Sequence, residues 1–352
     1  MEATAKILGK WYEGHKRDLP WRRTESAYEI WLSEIILQQT RVQQGIHYYE
    51  RFLERFPDVY QLAKASPEEV LKLWQGLGYY TRARNLHATA REIVSRYDGR
   101  FPADYDKLLA LKGVGEYTAA AVASIAFGIP VALVDGNVVR VLARLYGIRI
   151  PFTTPKGRKE IHTLADRILD KRNPGIHNQA IMELGALVCL PKNPSCRDCP
   201  LHPKCYAFKH ERIKDFPVRG VREKSRKRYF HYLHFSCSGK VFIHQRNKKD
   251  IWNSLFEFPI IETSRAVKPE KITANKQWRH MLEGCRYRII EVSPLYIHPL
   301  SHQTLYVRFY EVQAATAPSV LAQEYTCIDA KRIHEYPVSR LTEKYLMSLK
   351  KD

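Results

Sequence analysis

The sequence predicts a two-domain chain, an all-α domain followed by an α+β domain, and three observations predict it. Apolar residues recur at three- and four-residue spacing through residues 1–210. From residue 229 onward the chain turns to short aromatic and β-branched runs. Four of the seven cysteines crowd into residues 189–205, at the end of the helical part. A length of 352 residues is enough for two ordinary domains, each with its own core.

The helical reading rests on the stretches Ala27–Tyr49, Asp104–Phe127 and Gly157–Ala186. It includes a continuous helix over 27–44. Ser66-Pro67-Glu68-Glu69 supplies a cap, a first-turn proline and an acidic first turn. The run Pro217–Arg228 is charged, aperiodic and punctuated by Pro and Gly, so the expected bounds are 1–215, a linker at 216–228, and 229–352. Strands are expected at Tyr229–Ser236, Lys240–Gln245, Tyr287–Val292 and Leu305–Val312, with a helix at Ala330–Leu349.

Lys and Arg number 57 against 37 acidic residues, a formal net charge of +20, with a pI near 9.6. Such an excess favours a polyanionic partner through counterion release, although a merely basic protein would show it too. No signal-peptide pattern opens the chain. The most apolar stretch, Ala119–Val134, is broken by Gly128 and Pro130 and is too short to span a bilayer. A soluble intracellular protein, cytoplasmic or at the nucleoid, is expected.

Cys189, Cys196, Cys199 and Cys205 are spaced C-x6-C-x2-C-x5-C among four prolines that stiffen the loop. Zinc ribbons use two C-x-x-C pairs and only one is present, so the spacing favours a [4Fe–4S] cluster over zinc. Cys237, Cys285 and Cys327 read as ordinary core residues.

Lys112-Gly113-Val114-Gly115 opens an alanine-rich helix. Two residues without a β-carbon allow close approach, and exposed N–H groups at a helix start favour a phosphate. The motif alone is weak, and with no strand before it a dinucleotide fold is unfavoured. Asp135 follows the same helix, set between apolar residues beside Gly136 and Asn137, as a helix cap or a substrate-facing group. Glu34 has Ile30, Trp31 and Leu37 at helical spacing around it. A carboxyl on an apolar face is desolvated and its pKa rises, as a general acid requires; a solvated boundary position is the plain alternative.

Together these pieces resemble the helix–hairpin–helix DNA glycosylase superfamily, and within it the adenine DNA glycosylase (MutY) family. The residues that carry the resemblance are Leu19-Pro20-Trp21-Arg22, Ser33-Glu34 through Gln38-Gln39-Thr40, Gly76-Leu77-Gly78-Tyr79-Tyr80, the hairpin with Val134-Asp135-Gly136-Asn137, and the four-cysteine loop. The C-terminal half is similar to MutT-like, Nudix-type domains.

The resemblance implies a monofunctional enzyme acting on double-stranded DNA that carries adenine opposite 8-oxoguanine or guanine, as a monomer. It implies Glu34 as general acid, Asp135 as stabiliser of an oxocarbenium-like sugar, and Tyr117 and Asn137 as groups that hold them. Trp21, Arg22 and Leu37 would line an adenine pocket, and Lys112, Gly113, Val114 and Gly115 would grip the backbone. Gln39, Thr40, Leu77, Tyr79, Ser301 and His302 would inspect the opposite base. Leu300 stands where the family carries an aromatic residue. Endonuclease III-like enzymes have a lysine where this chain has Tyr117, which argues against a glycosylase/lyase. A non-catalytic DNA-binding iron–sulfur protein would not need both carboxylates. The acidic metal-binding helix of Nudix hydrolases is missing from 260–300, so the second domain is expected to bind DNA without hydrolysing nucleotides.

Overall fold

The computed structural model describes residues 2–220, 225–248 and 250–349. Its contacts divide the chain into two compact units: Met1–Ala65 with Asn85–Val221, and Ser66–Arg84 with Arg222–Asp352. The segment Ser66–Arg84 therefore groups with the sheet, not with the helices that flank it in sequence.

Among the described residues, twelve α-helices occupy the first 209 positions: α1 (Glu2–His15), α2 (Ala27–Leu37), α3 (Val42–Arg55), α4 (Val59–Lys64), α5 (Pro67–Trp74), α6 (Thr81–Tyr97), α7 (Tyr105–Leu109), α8 (Glu116–Phe127), α9 (Gly136–Tyr146), α10 (Pro155–Ile168), α11 (Pro174–Leu187) and α12 (Tyr206–Lys209). Side-chain caps start half of them, including Ser26 on α2, Ser66 on α5, Asp104 on α7, Asp135 on α9 and Thr154 on α10. Gly128 and Gly147 end α8 and α9 in the left-handed region. The core around the site is the apolar face of α9 (Val138, Val141, Leu142, Leu145) against Ala180, Ile181 and Leu184 of α11 and the small residues Ala120 and Ala121 of α8. Alanine there lets helices approach closely without a cavity.

The expected helix over 27–44 is two helices. α2 stops at Leu37, Gln38 leaves the helical region, and Gln39 takes a left-handed φ of 58° before α3 begins at Val42. The Gln38 side chain instead donates to Thr118 Oγ1 of α8 at 3.2 Å. Gly45 lets α3 fold back, since a β-carbon there would lie 2.7 Å from Leu37 Cδ2.

The second unit is built on one mixed sheet of β1 (Arg226–Cys237), β2 (Lys240–Gln245), β3 (Phe256–Glu257), β4 (Ile260–Thr263), β5 (Tyr287–Val292), β6 (Tyr296–Pro299), β7 (Gln303–Ala314) and β8 (Thr326–Asp329). β1 and β7 run parallel along their full length, from Arg226 opposite Gln303 to Cys237 opposite Ala314. Both are buried on two faces. Phe230, Tyr232, Leu305, Val307 and Phe309 pack under α15 (Arg340–Ser348), while Leu233, Phe235, Tyr310 and Val312 pack with Trp278 of α13 (Lys276–Met281) and Leu321 of α14 (Ser319–Glu324).

Three expectations need correction. Arg226 to Arg228 belong to β1, because pairing with β7 draws the end of the expected linker into the ladder; residues 221–224 of that linker lie outside the described residues. The segment 330–349 splits at Pro337 into a 3-10 turn, Ala330–Glu335, and α15, which Ser339 caps. Cys327 is exposed, since strand alternation turns Ile328 inward and its neighbour out; Cys237 and Cys285 are half-buried. Among the described residues no helix is long and apolar enough to cross a membrane.

Candidate active site

A cavity of about 250 Å³ opens in the helical unit and is lined by Trp21, Arg22, Glu34, Leu37, Thr40, Tyr117, Asp135 and Asn137 among others; among the described residues no lysine lies in its wall. Both carboxylates singled out in the sequence thus share one chamber with the three residues expected to frame a base.

Glu34 projects from the middle of α2, a helix whose buried residues run almost unbroken from Tyr28 to Ile36. It is 6% exposed, and its Oε2 has no hydrogen-bond partner. Burial pushes its carboxyl up to about 7; the Tyr117 hydroxyl opposes the rise and the charge of Asp135 adds to it. Tyr117, from the first turn of α8, also donates to Met182 Sδ of α11 at 3.7 Å, and burial beside Glu34 holds its phenol well above the usual range.

Asp135 caps α9, accepting from the Val138 N–H at 2.7 Å, while its second oxygen accepts from Asn137 Nδ2 at 2.7 Å. Burial still raises its pKa against those bonds and the nearby Arg140. The cap and the cavity-facing reading therefore hold together. Asn137 is fixed in turn by Arg140 Nη2, which donates to its Oδ1 at 2.8 Å and to the Gly185 carbonyl at 2.7 Å. Gly185 is required for this approach, because a β-carbon there would sit 2.5 Å from Asn137 Cβ.

Arg22 presents its guanidinium to Glu183 of α11, at 2.9 and 2.8 Å, and Arg17 joins it at 2.9 and 2.6 Å. Burial alone would raise Glu183, but the two arginines hold it at about 2. Glu183, Arg17, Arg140 and Met182 escaped the sequence reading. Their partners lie far along the chain, and a buried glutamate paired to arginines leaves no local periodic signal.

The four cysteines of the loop lie near one another. Cys199 feels Cys189, Cys205 and Cys196, and burial pushes its thiol up to about 11. Arg140 Nε donates to the Cys189 carbonyl at 2.6 Å, and Arg144 Nη1 points at Cys189 Sγ at 3.4 Å and at the Leu190 carbonyl at 2.7 Å. Desolvated thiols facing an arginine are a donor set suited to a cluster that holds them as thiolates. Among the described residues no group of three or more His, Cys, Asp or Glu is arranged to hold a metal ion.

At the hairpin, Gly113 is left-handed (φ 74°) and a β-carbon there would lie 2.5 Å from Asn85 Nδ2. Lys112, Gly113 and Gly115 are exposed, Val114 is buried, and Gly115 starts α8 with no side-chain cap, leaving its first N–H groups open to an anion. Of the residues expected at the opposite base, Gln39 and Thr40 belong to the helical unit, and Leu77, Tyr79, Ser301 and His302 to the other. In that second unit the Tyr79 hydroxyl lies 3.0 Å from Ser301 Oγ. Tyr79, Ser301 and His302 are exposed, Leu77 is buried, and Leu300 is half-buried against the core of the sheet.

Residues 32–169 match the family of HhH-GPD superfamily base excision DNA repair proteins, and residues 231–348 match the NUDIX domain family. A thermostable thymine-DNA glycosylase superposes with a TM-score of 0.55 at 29% identity, covering 59% of this chain and 96% of that one. Endonuclease III, solved in a non-covalent complex with DNA, gives 0.52 at 25%, covering 59% and 95%. Proteins named adenine DNA glycosylase align from Arabidopsis thaliana, at 40% identity over 71% of this chain and 46% of that protein, and from Homo sapiens, at 45% over 57% and 38%. A third, from Buchnera aphidicola of Schizaphis graminum, is 32% identical over 86% of this chain and 85% of its own length. An enzyme of base excision repair by its fold and a DNA glycosylase by its relatives, this chain belongs to the adenine DNA glycosylase family.

Proposed function

We propose that the chain hydrolyses the N-glycosidic bond of adenine mispaired with 8-oxoguanine or guanine, and leaves an intact strand with an abasic site. One observation carries the reading: a buried glutamate, pushed up to about 7 and with an unpartnered oxygen, shares a cavity with a second carboxylate and, among the described residues, with no lysine. A glycosidic bond inside the duplex is out of reach, so the adenine is flipped into the cavity. There Trp21, Arg22 and Leu37 frame the base.

Glu34 gives its proton to N7 of adenine. The C1′–N9 bond breaks with its electron pair leaving on the base, and the cationic sugar forms under the charge of Asp135. Water then adds to C1′ and loses a proton to a carboxylate. Asn137 and Tyr117 hold the two acids in place. The cysteine quartet would hold a [4Fe–4S] cluster whose contribution is to anchor the loop under α9. The hairpin 112–115 would grip a backbone phosphate, while Gln39, Thr40, Leu77, Tyr79, Ser301 and His302 inspect the opposite base, with Gln39 and Tyr79 as wedges. These tasks are divided between the helical unit and the sheet-based unit to which Ser66–Arg84 belongs, in a monomer.

The test is single-turnover base release on duplexes with adenine opposite 8-oxoguanine, guanine, cytosine or thymine. Release is expected for the first two, with strand scission only after alkali. Spontaneous scission, or covalent capture of the wild-type protein by borohydride, would assign it to the lyases instead.

A further inference from the structure

Tyr79 is an exposed aromatic residue, 53% accessible, held at a left-handed φ of 48° on a turn where Gly76 and Gly78 also have positive φ. A tyrosine rarely adopts that backbone unless its surroundings impose it, and an exposed ring has few contacts with which to do so. What lies beneath it is Arg82, in the first turn of α6 and only 9% exposed. Its guanidinium carbon is 4.9 Å from the centroid of the Trp74 ring and 5.7 Å from that of Tyr79. Arg82 Nη2 donates to the Gly78 carbonyl at 3.2 Å, and Trp74 Nε1 donates to the same oxygen at 3.0 Å. Both donors converge on the peptide plane from which Tyr79 springs. The Arg82 backbone N–H also donates to the Tyr79 carbonyl, at 2.9 Å, tying that residue to the start of the helix. One buried cation thus touches the ring, the preceding carbonyl and the aromatic floor.

We propose that Arg82 is a positioning residue for Tyr79: it holds the tyrosine raised as a rigid wedge, so that the stack beside the opposite base is opened by a ring already set in place. The inference rests on the reading of Tyr79 as a wedge. Arg82 does not touch the reacting atoms; it acts through Tyr79, by a cation–π contact and by fixing the Gly78 carbonyl. A lysine would keep the charge but lose the planar fork that reaches ring and carbonyl together. Specificity at the opposite base would then depend on a residue that reads no base.

The experiment uses full-length, cluster-loaded protein and a duplex with 2-aminopurine next to 8-oxoguanine. A 2′-fluorine on the opposing adenosine blocks release, and the rise in 2-aminopurine fluorescence on binding reports unstacking. Tyr79→Ala should abolish the rise, and Arg82→Met should lower the opening equilibrium about tenfold, the scale of one cation–π contact with one hydrogen bond. Arg82→Lys should recover part of it, which a loss caused by misfolding would not. In the Tyr79→Ala background Arg82→Met should cost nothing further. An equal loss from Arg82→Met with and without Tyr79 would overturn the inference, and so would a normal signal from Arg82→Met beside a lost one from Tyr79→Ala. A full signal from Tyr79→Ala would instead remove the wedge itself, and the inference with it.

Discussion

Glu34 carries a stability cost with the catalytic task proposed for it, and the sign of that cost is open to measurement. Its folded pKa, about 7, is raised above the ordinary 4.5, so the folded state binds this proton more tightly than the unfolded chain does. Stability from this group is therefore complete below about pH 4.5, declines as pH rises, and is lost above about 7; the whole change is on the order of 3 kcal/mol. Glu34→Gln should remove it, so the melting temperature of the variant relative to wild type should climb between pH 5 and 8. A constant difference would mean the carboxyl is not desolvated. Excision should fall above pH 7 in the wild type, and Glu34→Gln should lose roughly 10²–10⁴-fold in rate while still binding mismatched duplex. Asp135→Asn separates two roles, because asparagine caps a helix as well as aspartate does. Its melting temperature should hold while excision collapses; unchanged excision would leave Asp135 as a cap alone. The setting of these two acids was legible in the sequence, since each sits among apolar residues. Glu183 was not, as its meaning comes from Arg17 and Arg22, which reach it from α1's far end and the turn beyond.

A helix can be foreseen from periodicity, but its ends are decided by what it meets. The stretch 27–44 reads as one helix, yet α2 ends at Leu37, where Gln38 finds a partner on α8 and Gly45 lets α3 turn back. α9 shows the opposite case: cap, apolar stripe and terminal glycine all agree, and its basic residues bind the cysteine loop on one side and Asn137 on the other. Two predictions belong to this packing. Gly185→Ala drives a methyl into Asn137 and should cost about 1–3 kcal/mol in stability as an overpacked contact. Excision should drop more than binding, since the displaced Asn137 no longer braces Asp135; loss of binding alone would break that chain. Cys199→Ser should lower the iron content from about four per chain and weaken DNA binding. Zinc in place of iron in the anaerobically purified wild type would reassign the loop.

At the scale of the whole chain, the helical and sheet-based parts were foreseeable from the change of pattern after residue 216, but the allegiance of Ser66–Arg84 was not. That segment reads as one more pair of helices; only tertiary partners show where it docks. Tyr80 donates to the Val338 carbonyl at 3.1 Å, Gln75 donates to Glu343 at 2.7 Å and accepts from the Val338 N–H at 3.3 Å, and Arg84 donates to the Asn253 carbonyl at 2.6 Å. A fragment of residues 1–215 should keep adenine excision, having both carboxylates, but should lose the preference for 8-oxoguanine over guanine. The loss should exceed that of Ser301→Ala with His302→Ala, because truncation also strips α5 and the Gly76–Tyr80 turn of their support. Equal ratios of excision rates in fragment and double variant would place all discrimination in Ser301 and His302. The same docking sets an order of birth. Residues 66–84 leave the ribosome early, yet the surface they bind is finished only when Val338 and α15 emerge, so this stretch must wait, unpaired, while the intervening chain is made. A premature stop anywhere in the last strands would then injure a turn encoded some hundreds of codons upstream, and hydrogen exchange over 67–80 in such truncated chains should be as fast as in an unfolded peptide.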